Sequence, residues 1–345
     1  MGMRPAMSGI IFEKDGTAQG VAKQRLIETI ANPDERIIND PYADRFVLGA
    51  SLIKFLGHKL NVWLAQKLVP GFHEHLISRT RFIDDLIEKN AASEVEQYVI
   101  LGAGYDCRAH RLELPSSLRI FEVDQSEVQA RKRSKLPEEV PNAENITYVA
   151  VDFTDQSISD QLLDAGFDQN KSTVFTLEGV SQYITKEALR STIKDVATLA
   201  QKANSIVFVS YANDLLNKDP EACFGRGYPS AEKRARLLTY WSEKVGEPWI
   251  SFYRAEEMKN LLLQYGYSII ESVTLKDLNS QYFTPVGRTI PENKLVQLEH
   301  FVIAKSNELF TFSSHSVSLE YSRILTVKKF GKLKIASAKG GHNKL

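Results

Sequence analysis

The chain has little cysteine. Two residues, Cys107 and Cys223, in a length of 345 cannot build a disulfide framework and read as free thiols of a reducing compartment. It has no run of about 18 apolar residues of the kind that spans a bilayer. The N-terminus, with Arg4 and Lys14 around a short Ile10-Ile11-Phe12, lacks a signal-peptide core. These absences predict a cytoplasmic protein without a transmembrane segment. Charge of one sign is missing too: lysine plus arginine equals aspartate plus glutamate at 43 each, which speaks against a nucleic-acid partner. The seven histidines are scattered, and His73 and His75, two residues apart on an expected helix, face different sides. No metal-ligand constellation is expected. No G-x-x-x-x-G-K-[ST] phosphate cradle occurs anywhere.

What is present is enough to bury a large core, with 43% apolar content. The first 90 residues are helical in pattern. Ala18 to Ile30 has no breaker, Asn32-Pro33-Asp34 ends it, and Asp40-Pro41 reads as an N-cap followed by proline at the first helical position. Leu52, Phe55, Leu56, Leu60, Trp63 and Leu64 recur at spacings of three and four, which predicts an amphipathic helix. Phe72 to Lys89 repeats the pattern. From residue 97, strands at 97–101, 119–123, 146–150, 172–178, 204–211, 267–275 and 298–305 alternate with helices near 126–136, 156–164, 186–201, 230–245 and 255–265. Such alternation predicts an α/β fold with a doubly wound, mostly parallel seven-stranded sheet behind a helical cap.

The richest segment lies between residues 97 and 133. Tyr98-Val99-Ile100-Leu101 empties into Gly102-Ala103-Gly104, and a second apolar run ends on Asp124, 22 residues after Gly102. Glycines ending a strand admit a ligand close to the backbone. An acid closing the second strand at this spacing is placed to accept from a ribose hydroxyl pair, although a helix N-cap is the alternative role for Asp124. A dinucleotide site wants a third glycine where this chain has Cys107. A nucleoside without a pyrophosphate, S-adenosylmethionine, suits the loop better. Gly102, Asp124, Asp152 and Glu178 all stand at or just past strand ends, where doubly wound sheets bind ligands.

The stretches Val99 to Leu112, Phe121 to Arg133, Val151 to Phe153 and Leu177 to Ile184 follow in an order and spacing that resemble the leucine carboxyl methyltransferase family and its bacterial relatives. Asp40 to Phe46 and Ser78 to Asp85 resemble that family's helical N-terminal part. The resemblance covers roughly residues 17 to 305. It implies a class I methyltransferase fold, S-adenosylmethionine as cofactor and methylation of an acceptor oxygen.

It also implies roles. Gly102 and Gly104 would lie against the methionine portion, Asp152 would accept from the adenine amine, and Phe153 would flank the ring. Arg79 would bind the amino-acid carboxylate as a two-bond fork, with Arg81 pointing elsewhere. Glu178 would hold the α-ammonium. Lys23 matches the family's N-terminal lysine loosely, and Arg25 is the other candidate. Tyr183 borders the acceptor pocket or simply packs. Arg226 and Arg254, in and after an aromatic-bearing flexible connection from Asn213 to Tyr228, would bind an acidic acceptor or lie on the surface.

The expected acceptor is a small molecule or peptide with a carboxylate, which arrives ionised and needs no general base; a phenol would need one. The rival readings are a noncatalytic cofactor-binding module and a nicotinamide-dependent oxidoreductase. Three regions are expected: a helical cap over 1–95, the cofactor-binding domain over 96–305, and a basic extension over 306–345. The extension has seven basic residues against two acidic ones and two segments, 316–329 and 332–335, that would form a hairpin.

Overall fold

A computed structural model describes residues 16–93, 95–153, 156–201, 203–225 and 227–307. Arg226 and residues 308–345, which hold the expected hairpin, lie outside these. Three helices come first: α1 (Gly16–Thr29), α2 (Ala50–Leu68) and α3 (Phe72–Ala91). Then follow β1 (Gln97–Leu101), α4 (Arg108–Arg111), β2 (Arg119–Asp124), α5 (Ser126–Lys135), β3 (Ile146–Ala150), α6 (Ile158–Asp164), β4 (Thr173–Leu177) and α7 (Lys186–Leu199). The chain continues through β5 (Ser205–Ala212), α8 (Leu215–Lys218), α9 (Pro220–Phe224), α10 (Ala231–Lys244), α11 (Ala255–Gln264), β6 (Tyr267–Val273), α12 (Leu275–Leu278) and β7 (Glu299–Ser306). No helix among the described residues is long and apolar enough to cross a membrane.

The seven strands form one sheet in the order β3-β2-β1-β4-β5-β7-β6, with β7 antiparallel to both neighbours and the remaining pairs parallel. Alternate residues of β1 face opposite layers: Tyr98 and Ile100 join one apolar cluster, Val99 and Leu101 the other. A strand covered on both faces carries apolar side chains on both, which is why β1 holds Tyr98-Val99-Ile100-Leu101 and β4 holds Val174, Phe175 and Leu177. Strand order reverses between β1 and β4, and the register there is level. Leu101 pairs with Val123 on one side and Leu177 on the other, so Gly102, Asp124 and Glu178 emerge side by side at the crevice where such sheets take ligands.

Three local expectations are corrected. Asp40 does not cap an α-helix; a 3-10 turn over Ala43–Phe46 follows instead, with Tyr42 at its N-cap. The Asp40 carboxylate is buried and takes the Arg25 guanidinium at 2.7 Å and the Tyr42 N–H at 3.1 Å. Most of the apolar stripe of α2 is exposed among the described residues. Gly57, at φ 74° and ψ 167°, breaks the helix, so residues three and four apart across it no longer share a face. Ile53 and Asn61 are the buried residues of α2, while Leu52, Leu60, Trp63 and Leu64 are exposed and Phe55 is 85% exposed.

The described residues of the 213–228 connection are packed. They contain α8 and α9, bury Cys223 and Phe224, stack Phe224 on Tyr228 at 4.5 Å, and tie the Tyr228 hydroxyl to the Pro70 carbonyl at 2.8 Å. The aromatic residues that suggested a binding loop instead fill the apolar layer beneath it.

Candidate active site

Gly102 and Gly104 turn the chain off β1 with φ of 71° and 44°. A Cβ at Gly102 would come within 2.3 Å of Val180 Cγ2, so both backbone angle and space demand glycine there. The turn points the Gly104 N–H at Asp124, whose Oδ2 accepts it at 2.6 Å, while Oδ1 accepts the Gln125 N–H at 2.7 Å. Gln125, not Asp124, is the N-cap residue of α5. Cys107, at the place of a third glycine, packs in a small cluster with Ala22, Phe46 and Tyr105, and burial pushes its thiol above its ordinary range.

These strand ends open on a cavity of about 1150 Å³. Gly102, Gly104, Asp124, Asp152, Phe153 and Glu178 line it, as do Arg79, Lys23 and Tyr183 from outside the strand tips. Arg254 does not: its side chain is 74% exposed and points to Asp214 at 4.0 Å. Lys23 is exposed to the cavity, whereas Arg25 is buried on Asp40 and on the Tyr105 carbonyl at 2.5 Å, which leaves Lys23 as the available cation of that pair.

Beneath the cavity lies a buried ion-pair chain. Arg79 on α3 donates through Nε to Glu178 Oε1 at 2.8 Å and through Nη1 to Glu299 Oε2 at 2.6 Å. Arg108 on α4 reaches the other Glu178 oxygen at 2.6 Å, Asp106 at 2.5 Å and Asp84 at 2.7 Å. Arg111 shares Asp84 at 2.6 Å. Buried carboxylates are tolerable only when paired in this way. Burial alone would raise the Glu178 carboxyl, but Arg108 and Arg79 overturn that and hold it below its ordinary range. Burial is likewise overcome at Glu299, where Arg79 and His75 hold the carboxyl down at about 2.

Arg79 therefore differs from its expected use. Two of its three nitrogens serve Glu178 and Glu299, so one Nη, rather than a two-bond fork, is left without a partner among the described residues. In this floor four carboxylates, Asp84, Asp106, Glu178 and Glu299, meet three guanidiniums, Arg79, Arg108 and Arg111.

Sequence reasoning missed Arg108, Asp106 and Glu299. Arg108 lay inside the glycine-bearing motif but carried no signal apart from it. Glu299 had one: an acid opening the apolar run Phe301-Val302-Ile303-Ala304 is as hard to explain as Glu178. Because β7 runs antiparallel, its first residue pairs with Ala212 at the end of β5 and so reaches the same sheet edge.

Tyr183 accepts the Trp249 indole N–H at 3.1 Å, and burial, opposed by hydrogen bonds to Thr17 and Trp249, pushes its phenol up to about 12. It stays protonated at neutral pH. Elsewhere Glu28, His58 and His73 come together with ligand atoms within 4.8 Å of one another. The Glu28 carboxylate there is already forked by Arg288 at 2.6 and 3.1 Å and accepts the Ile37 N–H at 2.8 Å, so the cluster is an ion-pair network. Burial would raise the Glu28 carboxyl, but His58 at 3.5 Å and the hydrogen bonds from His73 and Arg288 hold it well below its usual range.

Sequence and fold both have known relatives. The sequence model of the leucine carboxyl methyltransferase family matches residues 18–197. The chain is 31% identical over 256 residues to the Bacillus subtilis protein named "Putative S-adenosyl-L-methionine-dependent methyltransferase YktD", covering 72% of this chain and 73% of that one. A Mycolicibacterium smegmatis protein of the same description is 32% identical over 242 residues, 67% of this chain and 73% of its own. A solved DUF574-family protein from Streptomyces avermitilis shares the fold, with a TM-score of 0.51 at 13% identity over 82% of this chain and 97% of that one.

Proposed function

The chain belongs to the leucine carboxyl methyltransferase family, and we propose that it transfers a methyl group from S-adenosylmethionine to a carboxylate oxygen of its acceptor. The carrying observation is the convergence of Gly102, Asp124, Asp152 and Glu178, from the tips of four neighbouring strands, on one cavity beside Arg79. The donor set fits that cofactor. Asp124 and Asp152 accept from hydroxyl and amine groups, the glycine turn leaves the backbone bare, and the Glu178 carboxylate complements an ammonium and a sulfonium. The remaining Arg79 nitrogen is available to a carboxylate, and Phe153 offers a ring face.

When bound, S-adenosylmethionine supplies a methyl carbon already activated by its sulfonium, open to in-line displacement. The protein's part is alignment and exclusion of water. Gly102 and Gly104 set the depth of the nucleoside, Asp124 its orientation, and Glu178 with Arg79 the amino-acid end. Acceptor recognition falls to the leading helices and to the region between β5 and β6. An ionised carboxylate needs no base, which accords with a Tyr183 that stays protonated and is engaged by Trp249.

A hydroxyl acceptor is the second reading, and one observation favours it. His75 lines the cavity, its Nε2 bonds Glu299 Oε2 at 2.9 Å, and its buried Nδ1 has no hydrogen-bond partner among the described residues, the arrangement of a base held by a carboxylate. Cell extract incubated with enzyme and labelled methyl donor separates the two. Label released by mild alkali marks a carboxyl ester; label that resists it marks an ether and overturns the carboxylate reading.

A further inference from the structure

One wall of the cavity is rich in apolar side chains. Built by α2, the start of α3 and α10 with the segment after it, it holds Leu64, Leu68, Phe72, Leu238, Trp241 and Trp249, with Glu247 as its charged side chain. Three of these are large apolar side chains left in water: Leu64 is 43% exposed, Leu68 58% and Trp241 47%. Core packing does not account for them. Clustered exposed apolar surface beside a cavity marks a place that something covers.

The polar groups of the same wall are engaged within the protein. Asn61 donates to the Ile53 and Gly57 carbonyls at 2.8 Å each. Ser242 donates to the Thr239 carbonyl at 2.7 Å and accepts the Trp249 N–H at 3.4 Å. The Trp249 indole N–H is taken by Tyr183, and Glu247 accepts the Thr17 N–H at 3.0 Å. A peptide laid along this wall would strand its own N–H and C=O groups, each costly when buried without a partner. An alkyl or aryl chain would lose nothing. The volume agrees, since about 1150 Å³ exceeds the roughly 300–1000 Å³ of a site for one drug-sized ligand and leaves room for a second molecule beside the methyl donor.

We propose that the acceptor is a carboxylic acid on an extended apolar body, held along the α2–α10 wall with its acid end toward the strand tips, and not a peptide C-terminus. The wall's preference stands on its own geometry; the acid end rests on the carboxylate reading above.

The test is calorimetry of the full chain with S-adenosylhomocysteine present, titrated with hexanoate, dodecanoate or an N-acetylated tripeptide ending in leucine. Each methylene that finds cover should tighten binding about fourfold, so dodecanoate should bind at one site at least about a hundredfold tighter than hexanoate, with the peptide weakest. Leu68→Asn, at an exposed position that leaves thermal unfolding in place as a folding check, should weaken dodecanoate and spare hexanoate. Equal affinities, peptide binding tighter than dodecanoate, or dodecanoate binding indifferent to Leu68→Asn overturns the proposal. Dodecanoate that binds as expected yet is never methylated, while alkali-stable label accumulates from extract, leaves the wall standing and sinks the carboxylate reading instead.

Discussion

Arg79 and Glu299, 220 positions apart in the chain, meet at 2.6 Å beneath the cavity. Through this pair the last strand of the sheet secures the guanidinium that also steadies Glu178, so this part of the cavity floor is set by three segments distant in sequence.

Removing one partner of such a buried pair leaves the other uncompensated. Glu299→Ala should lower unfolding free energy by about 3 to 5 kcal/mol, measured by urea denaturation. The effect depends on pH with a definite sign. The folded carboxyl is depressed to about 2 from an ordinary 4.5, so its contribution is fully present above pH 4.5 and is lost as pH falls toward 2. The gap between parent and variant should therefore narrow on acidification from pH 5 to pH 3. A gap that widens there would contradict the assignment.

Asp124→Ala should weaken S-adenosylhomocysteine binding by about 1.5 to 3 kcal/mol, through loss of an acceptor shared by the ligand and the Gly104 N–H. Asp124→Asn keeps one acceptor oxygen and should fall between parent and alanine. Calorimetry reads both; a variant that binds as tightly as the parent removes Asp124 from the site.

Gly102→Ala meets two obstacles, a φ of 71° and the Val180 side chain at 2.3 Å. Left-handed strain for a non-glycine residue costs about 1 to 3 kcal/mol, so urea unfolding should show at least that loss together with weaker cofactor binding. Adding Val180→Ala should recover the steric share and leave the dihedral share. Complete recovery in the double variant would mean that the backbone angle is not restrictive.

Arg254 lies away from the cavity with its side chain in water. Arg254→Ala should keep stability within about 0.5 kcal/mol and, by the same measure, kcat/KM for any acceptor within about twofold. A large rise in KM would return Arg254 to the acceptor site.

What the sequence could tell was whatever is local or periodic. The inner strands show themselves because a strand covered on both faces carries apolar side chains on both, and the glycine turn, Asp124, Asp152 and Glu178 are legible because each stands at or just past the end of a strand. Tertiary structure decided the rest, since charge pairing and burial carry no period. Glu299 reaches the site because β7 reverses direction. Arg108 and Asp84 matter because α3 and α4 bury them against one another. The stripe on α2 looks like core until Gly57 breaks its phase and leaves Leu64 beside the cavity. The aromatic residues of 224–228 look like a binding loop until packing claims them. A periodic pattern records which face of an element is apolar; whether that face meets core, cavity or water is settled by elements that fold against it from elsewhere in the chain.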